Sequence, residues 1–444
     1  MNITDSFIKN IITLSKRDLP NHIIDKVKQS LTDYIGVTLA GSHQTKEKLS
    51  KYITDQSGEF AVIGYNETTD FLRAAFVNGY NSHVMEMDDG HRFAMLHLSS
   101  PIFSAMLSVA QKENLSFITF AKAVVVGFEV VARLAMAMQP SHKQRGYHAT
   151  GTCGACGVAL AVAYALNFSF DEMKAALSAA ATSAAGLLES IEGKSQMKPY
   201  NIAMAVQNGI TATYFTRNGF CGPDDILGGK RGLFNVLSDE FDTSKLIISE
   251  NDKYAIEQTY TKPYAACRHC HAPIEAALKL TNANLINHSD VERVEVYTYK
   301  LAVFGHDHTK IDGENSAKMS IPYSVAVAIV NQSAVINDFR QETIKNEDIN
   351  NLCSKVLVFE DEVLTKLSPA IRAANVKIFL KDSTCFSLQV DYPKGEPENP
   401  LTKDEAYNKF FSLAVFGGKT KEQANEILSW IDNIEIDFKK LFKI

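Results

Sequence analysis

Apolar residues in the first half of the chain recur at three- and four-residue steps. In "NHIIDKVKQSLTDYIGVTLAG" the residues Ile23, Ile24, Val27, Leu31, Tyr34 and Ile35 form one stripe, which predicts a helix, and Gly41 suits its C-cap. The same spacing predicts helices in "DFLRAAFVNGYNSHVMEM", "SPIFSAMLSVAQKE", "SFITFAKAVVVGFEVVARLAMAM", "GACGVALAVAYALNF", "SFDEMKAALSAAATSAAGLLES" and "YNIAMAVQNGITATYFTRNGF", with caps or glycine breaks between them. Alanine and glycine are abundant in these segments, so the helices can approach closely in a buried all-helical core. The stretch "FAVIGYNE", residues 60–67, has the length of a short hairpin.

The pattern changes after Gly228 and Gly229. "VERVEVYTYK" alternates at strand period, and "VKIFLKDSTCFSLQVDYP" predicts two strands joined near "KDST". Helical stretches are expected between them, from Lys318 to Gln332 and from Asn346 onward. The Pro- and Gly-containing "YPKGEPENP" marks a boundary, after which "LTKDEAYNKFFSLAVF" and "TKEQANEILSWI" return to helical spacing. The expected fold is mainly α: a large helical domain over 1–265, completed by 400–444, and a smaller inserted α+β domain over 266–399.

Composition narrows the function. The 444 residues are 45% hydrophobic and 22% charged, a globular balance. A net charge of -6 offers no basic stripe to neutralise phosphates, so nucleic acid is not an expected partner. The N-terminal "FIKNIITL" is interrupted by Lys9 and Asn10, unlike an export signal, and the most apolar helix carries Lys122, Glu129 and Arg133, unlike a membrane span. A cytoplasmic protein with no membrane contact is expected, with its seven cysteines as thiols.

Polar residues interrupt the small-residue background in five places. "EMDDGHRFAMLHLSSP" gathers Glu86, Asp88, Asp89, His91, Arg92 and His97, either as a solvated loop or as an acid/base and anion-binding loop. "RGYHATGTCGACG" sets His148, Thr150 and Thr152 among glycines just before a helix. That suits an anion at the helix N-terminus, and suits tight helix packing equally. Lys194 and Lys198 precede the next helix, where the macrodipole disfavours a cation, so Lys198 needs solvent or an anion beside it. "KPYAACRHCHAPIEAAL" carries Lys262, Arg268, His269 and His271, and "AKMSIPYSVAVAIV" carries Lys318, Ser320 and Tyr323, the last of which also suits a core aromatic.

Within "KPYAACRHCHAPIEAAL", Cys267, Cys270 and His271 spell C-x-x-C-H, the pattern of covalent haem attachment. That chemistry follows export in bacteria, for which the sequence shows no signal. A four-thiolate zinc site with Cys153 and Cys156 is disfavoured because that pair lies in a Gly/Ala-rich helix start. Neither a cofactor nor a metal is expected. Cations, imidazoles and hydroxyls together suit a small polycarboxylate: Lys and Arg hold carboxylates while His moves a proton at carbon.

The order "MDDGHRFAMLHLSSP", "GYHATGTCGACGVALAVAYALNFS", "KSQMKPYNIAMAVQNGITATYFTRNGF", "KPYAACRHCHAPIEAAL" and "KMSIPYSVAVAI" resembles the MmgE/PrpD family over nearly the whole chain. Members of that family include 2-methylcitrate dehydratase, cis-aconitate decarboxylase and iminodisuccinate epimerase. The resemblance implies a helical domain with an α+β lid, a cofactor-free site in the cleft between them, and a homodimer. By position it carries over Glu86, Asp88, Asp89, His97, His148, Lys198, Lys262 and Tyr323; of these His97, His148, Lys198, Lys262 and Tyr323 are the expected catalytic residues, and Glu86, Asp88 and Asp89, with His91, Arg92, Thr150, Arg268, His269 and His271 from the polar clusters themselves, are the expected substrate contacts. Against the decarboxylase pattern, Leu98 replaces a proline, Gly90 a threonine and Cys267 a histidine. Dehydration, decarboxylation and epimerisation therefore all stay open, with 2-methylcitrate-like dehydration the leading expectation. The rival of a different class is a protein that binds polycarboxylates without reacting them.

Overall fold

The computed structural model describes residues 2–191, 195–249, 251–433 and 437–438. Contacts divide the chain into two units, residues 1–259 with 403–444, and residues 260–402. Among the described residues, no helix is long and apolar enough to cross a membrane.

The first unit is helical throughout its core. Helix Ala149–Ala165 packs against Phe117–Met138 and Lys198–Thr216, and Phe71–Val84 packs against Lys198–Thr216 and Asn21–Thr54. Small residues decide these distances. A Cβ placed on Gly157 would stand 2.1 Å from Val131 Cγ2, so the helices holding these two residues can meet this closely only with glycine there. The helix starts follow the local sequence: Ser116 caps Phe117–Met138 by accepting from Thr119 N–H, and Ser169 with Glu172 closes a capping box on Phe170–Thr182.

Gly41 corrects one expectation. The helix predicted to end there runs on to Thr54, and a Cβ on Gly41 would lie 1.9 Å from the Asn81 carbonyl oxygen. This glycine lets helix Phe71–Val84 approach and caps nothing. Two further helices differ at their ends, Ala149–Ala165 starting earlier than its periodicity suggested and Phe170–Thr182 stopping before Gly186, whose φ is 144°. The hairpin near residue 60 is a two-residue ladder, Phe60–Ala61 against Thr68–Thr69.

The tail helices Lys403–Phe416 and Lys421–Asp432 belong to the first unit. Lys409 Nζ, buried, donates to the Met87 carbonyl at 2.9 Å and lies 2.5 Å from Asp33 Oδ1. Its ammonium is paired and hydrogen-bonded, as a buried charge requires.

The second unit is built on a four-stranded sheet ordered Val356–Glu360, Val291–Thr298, Ala374–Leu380 and Cys385–Val390. The first pairing is parallel and the other two are antiparallel. Val294, Val296, Val376 and Ile378 are buried, and strands Ala374–Leu380 and Cys385–Val390 pack with helix His271–Asn284. The helical stretch expected from Asn346 onward stops at Cys353, and Val356–Glu360 is a strand. Its alternation is weak because Leu357 and Phe359 stay exposed, and its ladder partner lies some sixty residues earlier.

Candidate active site

In the first unit, helix Phe71–Val84 ends with His83 in its last turn, and the chain then breaks at Glu86, whose φ is 56°. Residues 85–98 cross from this helix to Ser99–Glu113. The Asp89 carboxylate accepts from the Leu98 N–H (3.2 Å), the Ser99 N–H (3.0 Å) and the Ser99 hydroxyl (2.7 Å). It therefore satisfies donors at the start of Ser99–Glu113, a helix whose own N-cap, Leu98, has no side-chain acceptor. Asp89, an expected substrate contact, is buried and anchors the loop through these bonds.

Asp88 stands at the centre of the cluster. Its Oδ2 accepts from His83 Nδ1 at 2.8 Å and from the Ser100 hydroxyl at 2.9 Å, and lies 3.2 Å from His97 Nδ1. His97 Nδ1–H also donates to the Asp89 carbonyl at 2.6 Å, which fixes the proton on Nδ1 and presents Nε2 as the exchanging atom. The His83 and His97 rings meet edge to face, 4.6 Å between centroids.

Burial and charge push these groups in different directions. Burial raises the Asp88 carboxyl, but His83 and His97 outweigh it and hold Asp88 well below the usual carboxylate range. Burial disfavours charge on His83, yet the carboxylates of Asp88 and Glu86 prevail and raise its pKa. For Asp89 burial prevails over the hydrogen bonds from Ser99 and pushes it up to about 6.

The opposite wall comes from two helix starts. His148 is the N-cap of Ala149–Ala165, its N–H donating to the Gly186 carbonyl at 3.0 Å. Burial, then the charge of Lys198 and the two imidazoles His83 and His97, depress its pKa well below the ordinary histidine value, so the ring is neutral. Asn201 Nδ2–H donates to His148 Nδ1 at 3.3 Å, which selects the tautomer protonated on Nε2. Thr150 Oγ1 accepts from the His97 N–H at 3.2 Å and so ties this helix start to the loop. The glycines here serve packing: a Cβ on Gly151 would stand 2.4 Å from the Ala185 carbonyl oxygen.

Lys198 opens helix Lys198–Thr216, and its ammonium is paired with Glu86. The anion that the macrodipole argument required is thus Glu86, which also lies 3.3 Å from His83 Nε2. Lys194 lies outside the described residues.

Other predicted residues are engaged elsewhere. His91 is fully buried and its Nδ1 accepts from the Ala94 N–H at 3.1 Å; it shapes the loop. Arg92 covers the Phe93 ring, 5.1 Å to the centroid. In the second unit, Lys262 is buried, and Arg268 forms a buried ion pair with Glu396, its Nε donating at 2.6 Å. His271 is buried with Nε2–H donating to the Ala266 carbonyl at 3.1 Å. The Tyr323 hydroxyl donates to the Asp338 carbonyl at 2.8 Å and the side chain is fully buried, the geometry of a core aromatic. A group already paired inside the protein must break that pairing to meet a substrate, and Arg268, His271 and Tyr323 are each paired in this way.

Sequence reasoning missed His83, Ser100, Asn201, Lys409 and His306. His83 sits three residues before Glu86 and Asn201 three after Lys198, spacings that a helical reading could have caught. Among the described residues, two groups of side chains bring metal-capable atoms within 4.8 Å of one another: His83 with Asp88 and His97, and Cys267 with His269 and His306. In the first, both histidines turn Nδ1 to the carboxylate, which describes a hydrogen-bonded proton network.

A buried carboxylate flanked by two imidazoles, a neutral third imidazole and a lysine–glutamate pair together bring groups of the acid, base and cationic types into one cluster. Residues 6–245 match the MmgE/PrpD N-terminal domain and residues 264–433 the MmgE/PrpD C-terminal domain; the chain belongs to the MmgE/PrpD family. It is 26% identical to a cis-aconitate decarboxylase-like protein of Aspergillus oryzae, over 93% of this chain and 90% of the relative. It is 24% identical to cis-aconitate decarboxylase of Aspergillus terreus (90% and 87%) and 23% identical to the human cis-aconitate decarboxylase (98% and 90%).

Proposed function

We propose that this protein is a lyase acting on a small polycarboxylate, with proton transfer at a carbon next to a carboxylate and no cofactor. The observation that carries the reading is the opposed bias of its imidazoles: His83 and His97 gather round Asp88, while His148 is kept neutral with its proton on Nε2. Groups whose surroundings push their ionisation apart are how one site supplies both acid and base.

Decarboxylation of a cis-aconitate-type acid is the preferred specific reaction, because the relatives named above are cis-aconitate decarboxylases or decarboxylase-like. In that reaction the carbon–carbon bond to one carboxylate breaks and carbon dioxide leaves. The electron pair stays on carbon, delocalised toward a remaining carboxylate. Protonated His97 delivers its Nε2 proton to that carbon and returns to the neutral ring. His148 Nε2–H donates to the carboxylate oxygen that gains charge, and Lys198, shared with Glu86, binds a second carboxylate. Lys262 is proposed as a further carboxylate-binding cation on the strength of the resemblance. Such charge neutralisation supplies the larger part of the rate, and a positioned acid adds about a hundredfold to ten-thousandfold.

Dehydration of a 2-methylcitrate-like acid is the second reading, favoured by Cys267 standing where the decarboxylase pattern has histidine. There neutral His97 would begin by removing a proton. Proton NMR of the full chain with a panel of di- and tricarboxylates in deuterated water separates the cases. Loss of carbon dioxide with one deuteron gained at carbon is expected. Loss of hydroxyl supports dehydration, exchange without net change indicates epimerisation, and unchanged spectra across the panel sink the catalytic reading.

A further inference from the structure

Within the second unit, Cys267, His269 and His306 form a polar cluster that the proposed chemistry does not use. We propose that these three side chains are a transition-metal site of the zinc class, with the fourth position open to water or a small anion.

The distances suit the ion. Sulfur and nitrogen bound to one tetrahedral zinc at about 2.3 and 2.0 Å stand about 3.5 Å apart; Cys267 Sγ and His306 Nε2 are 3.4 Å apart. All three ligand atoms lie within 4.8 Å of one another, so a shift of about an ångström by His269 closes the set. Both histidine rings are held by hydrogen bonds: His306, whose Nε2 faces the sulfur, donates Nδ1–H to the Phe304 carbonyl at 2.9 Å, and His269 Nδ1 is hydrogen-bonded to the Tyr299 hydroxyl at 2.6 Å, which assigns its Nε2 to the ion. Such second hydrogen bonds are what fix the ring and tautomer of metal-bound histidine.

The backbone at the site is anchored as well. Cys267 N–H donates to the Lys318 carbonyl at 2.8 Å, and the His306 carbonyl accepts from Ile321 N–H at 2.8 Å. The ligands therefore hang from the two ends of one segment, residues 318–321. One thiolate and two imidazoles without a carboxylate select zinc or cobalt over magnesium or calcium. The C-x-x-C-H pattern thus misdirects: Cys270 is fully buried and His271 bonds to Ala266, while the pair that matters is Cys267-x-His269, completed by a histidine no local pattern announces.

The test is a Co²⁺ titration of the full chain in a C221S/C385S background, which removes the two exposed thiols. One equivalent should give a thiolate-to-cobalt charge-transfer band in the near ultraviolet with intense tetrahedral d–d bands, bleached by Zn²⁺. C267S should abolish the charge-transfer band. Since loss of an outer hydrogen bond alone costs about tenfold in affinity, H306A should cost at least about that. The His83, Asp88 and His97 group has no sulfur and cannot produce that band. No saturable band, a band that survives C267S, or an H306A affinity equal to the parent overturns the proposal. If C267S does not fold, zinc-edge absorption of the loaded parent decides: one sulfur with two imidazoles supports it, and a shell without sulfur overturns it.

Discussion

His148 and Asp89 show how a single residue's surroundings set its chemistry. His148 is buried beside Lys198 and kept neutral, so its ionisation should be missing from the pH dependence of turnover between about pH 5 and 8. H148Q should lower kcat by about 10²–10⁴ with an unchanged far-ultraviolet spectrum. N201A should lower kcat by a smaller factor, because His148 stays in place and loses its tautomer preference, together with the Asn201 bonds to Leu187 and Ser190. For Asp89, the folded pKa of about 6 lies above the unfolded carboxylate value, so the native state holds the extra proton. Stability from this group is greatest below about pH 4 and falls as pH rises through 6, by about 3 kcal/mol at most. Urea unfolding across that range should show the decline in the parent and a flatter profile in D89N, whose amide oxygen still accepts at the helix start. Which carboxylates and imidazoles cluster in residues 86–97 was legible in the sequence. Which of them carry charge was not, because that depends on burial and on His83, Lys198 and Asn201 arriving from other helices.

Between elements, the decisive contacts involve small residues and one buried lysine. Ala at position 41 would set its Cβ against the Asn81 carbonyl, and G41A should destabilise by about 3 kcal/mol or more, read as a lower urea midpoint. K409M leaves Asp33 buried opposite a methionine and should cost about 3–5 kcal/mol, and adding D33N should recover most of the loss. A double-mutant cycle with a small coupling energy would contradict that. The helices themselves were readable from three- and four-residue periodicity because a stripe that must face a core leaves a local signature. Gly41 was misjudged because C-cap glycine and close-packing glycine look alike until the second helix is known. Strand Val356–Glu360 was missed for the same kind of reason, since its ladder is made with residues 294–298.

Across the whole chain, the first unit closes only when its last helices return. Phe410 Cδ2 lies 3.1 Å from where a Cβ would sit on Gly36, and Lys409 reaches Met87, 322 residues earlier. A chain truncated before Lys403 should therefore be insoluble or lack cooperative unfolding of the first unit, and a soluble, cooperatively folding truncate would refute this. By itself the sequence determined the helical character, the α+β stretch and the inventory of lysines, histidines and acids, because periodicity, caps and side-chain chemistry are local properties. Only the tertiary structure decided that Glu86 answers Lys198, that Asp88 joins His83 to His97, and that Cys267 and His269 meet His306. Those pairings rest on distances between groups far apart in the chain, and both charge and metal affinity depend on such distances far more than on neighbours in sequence.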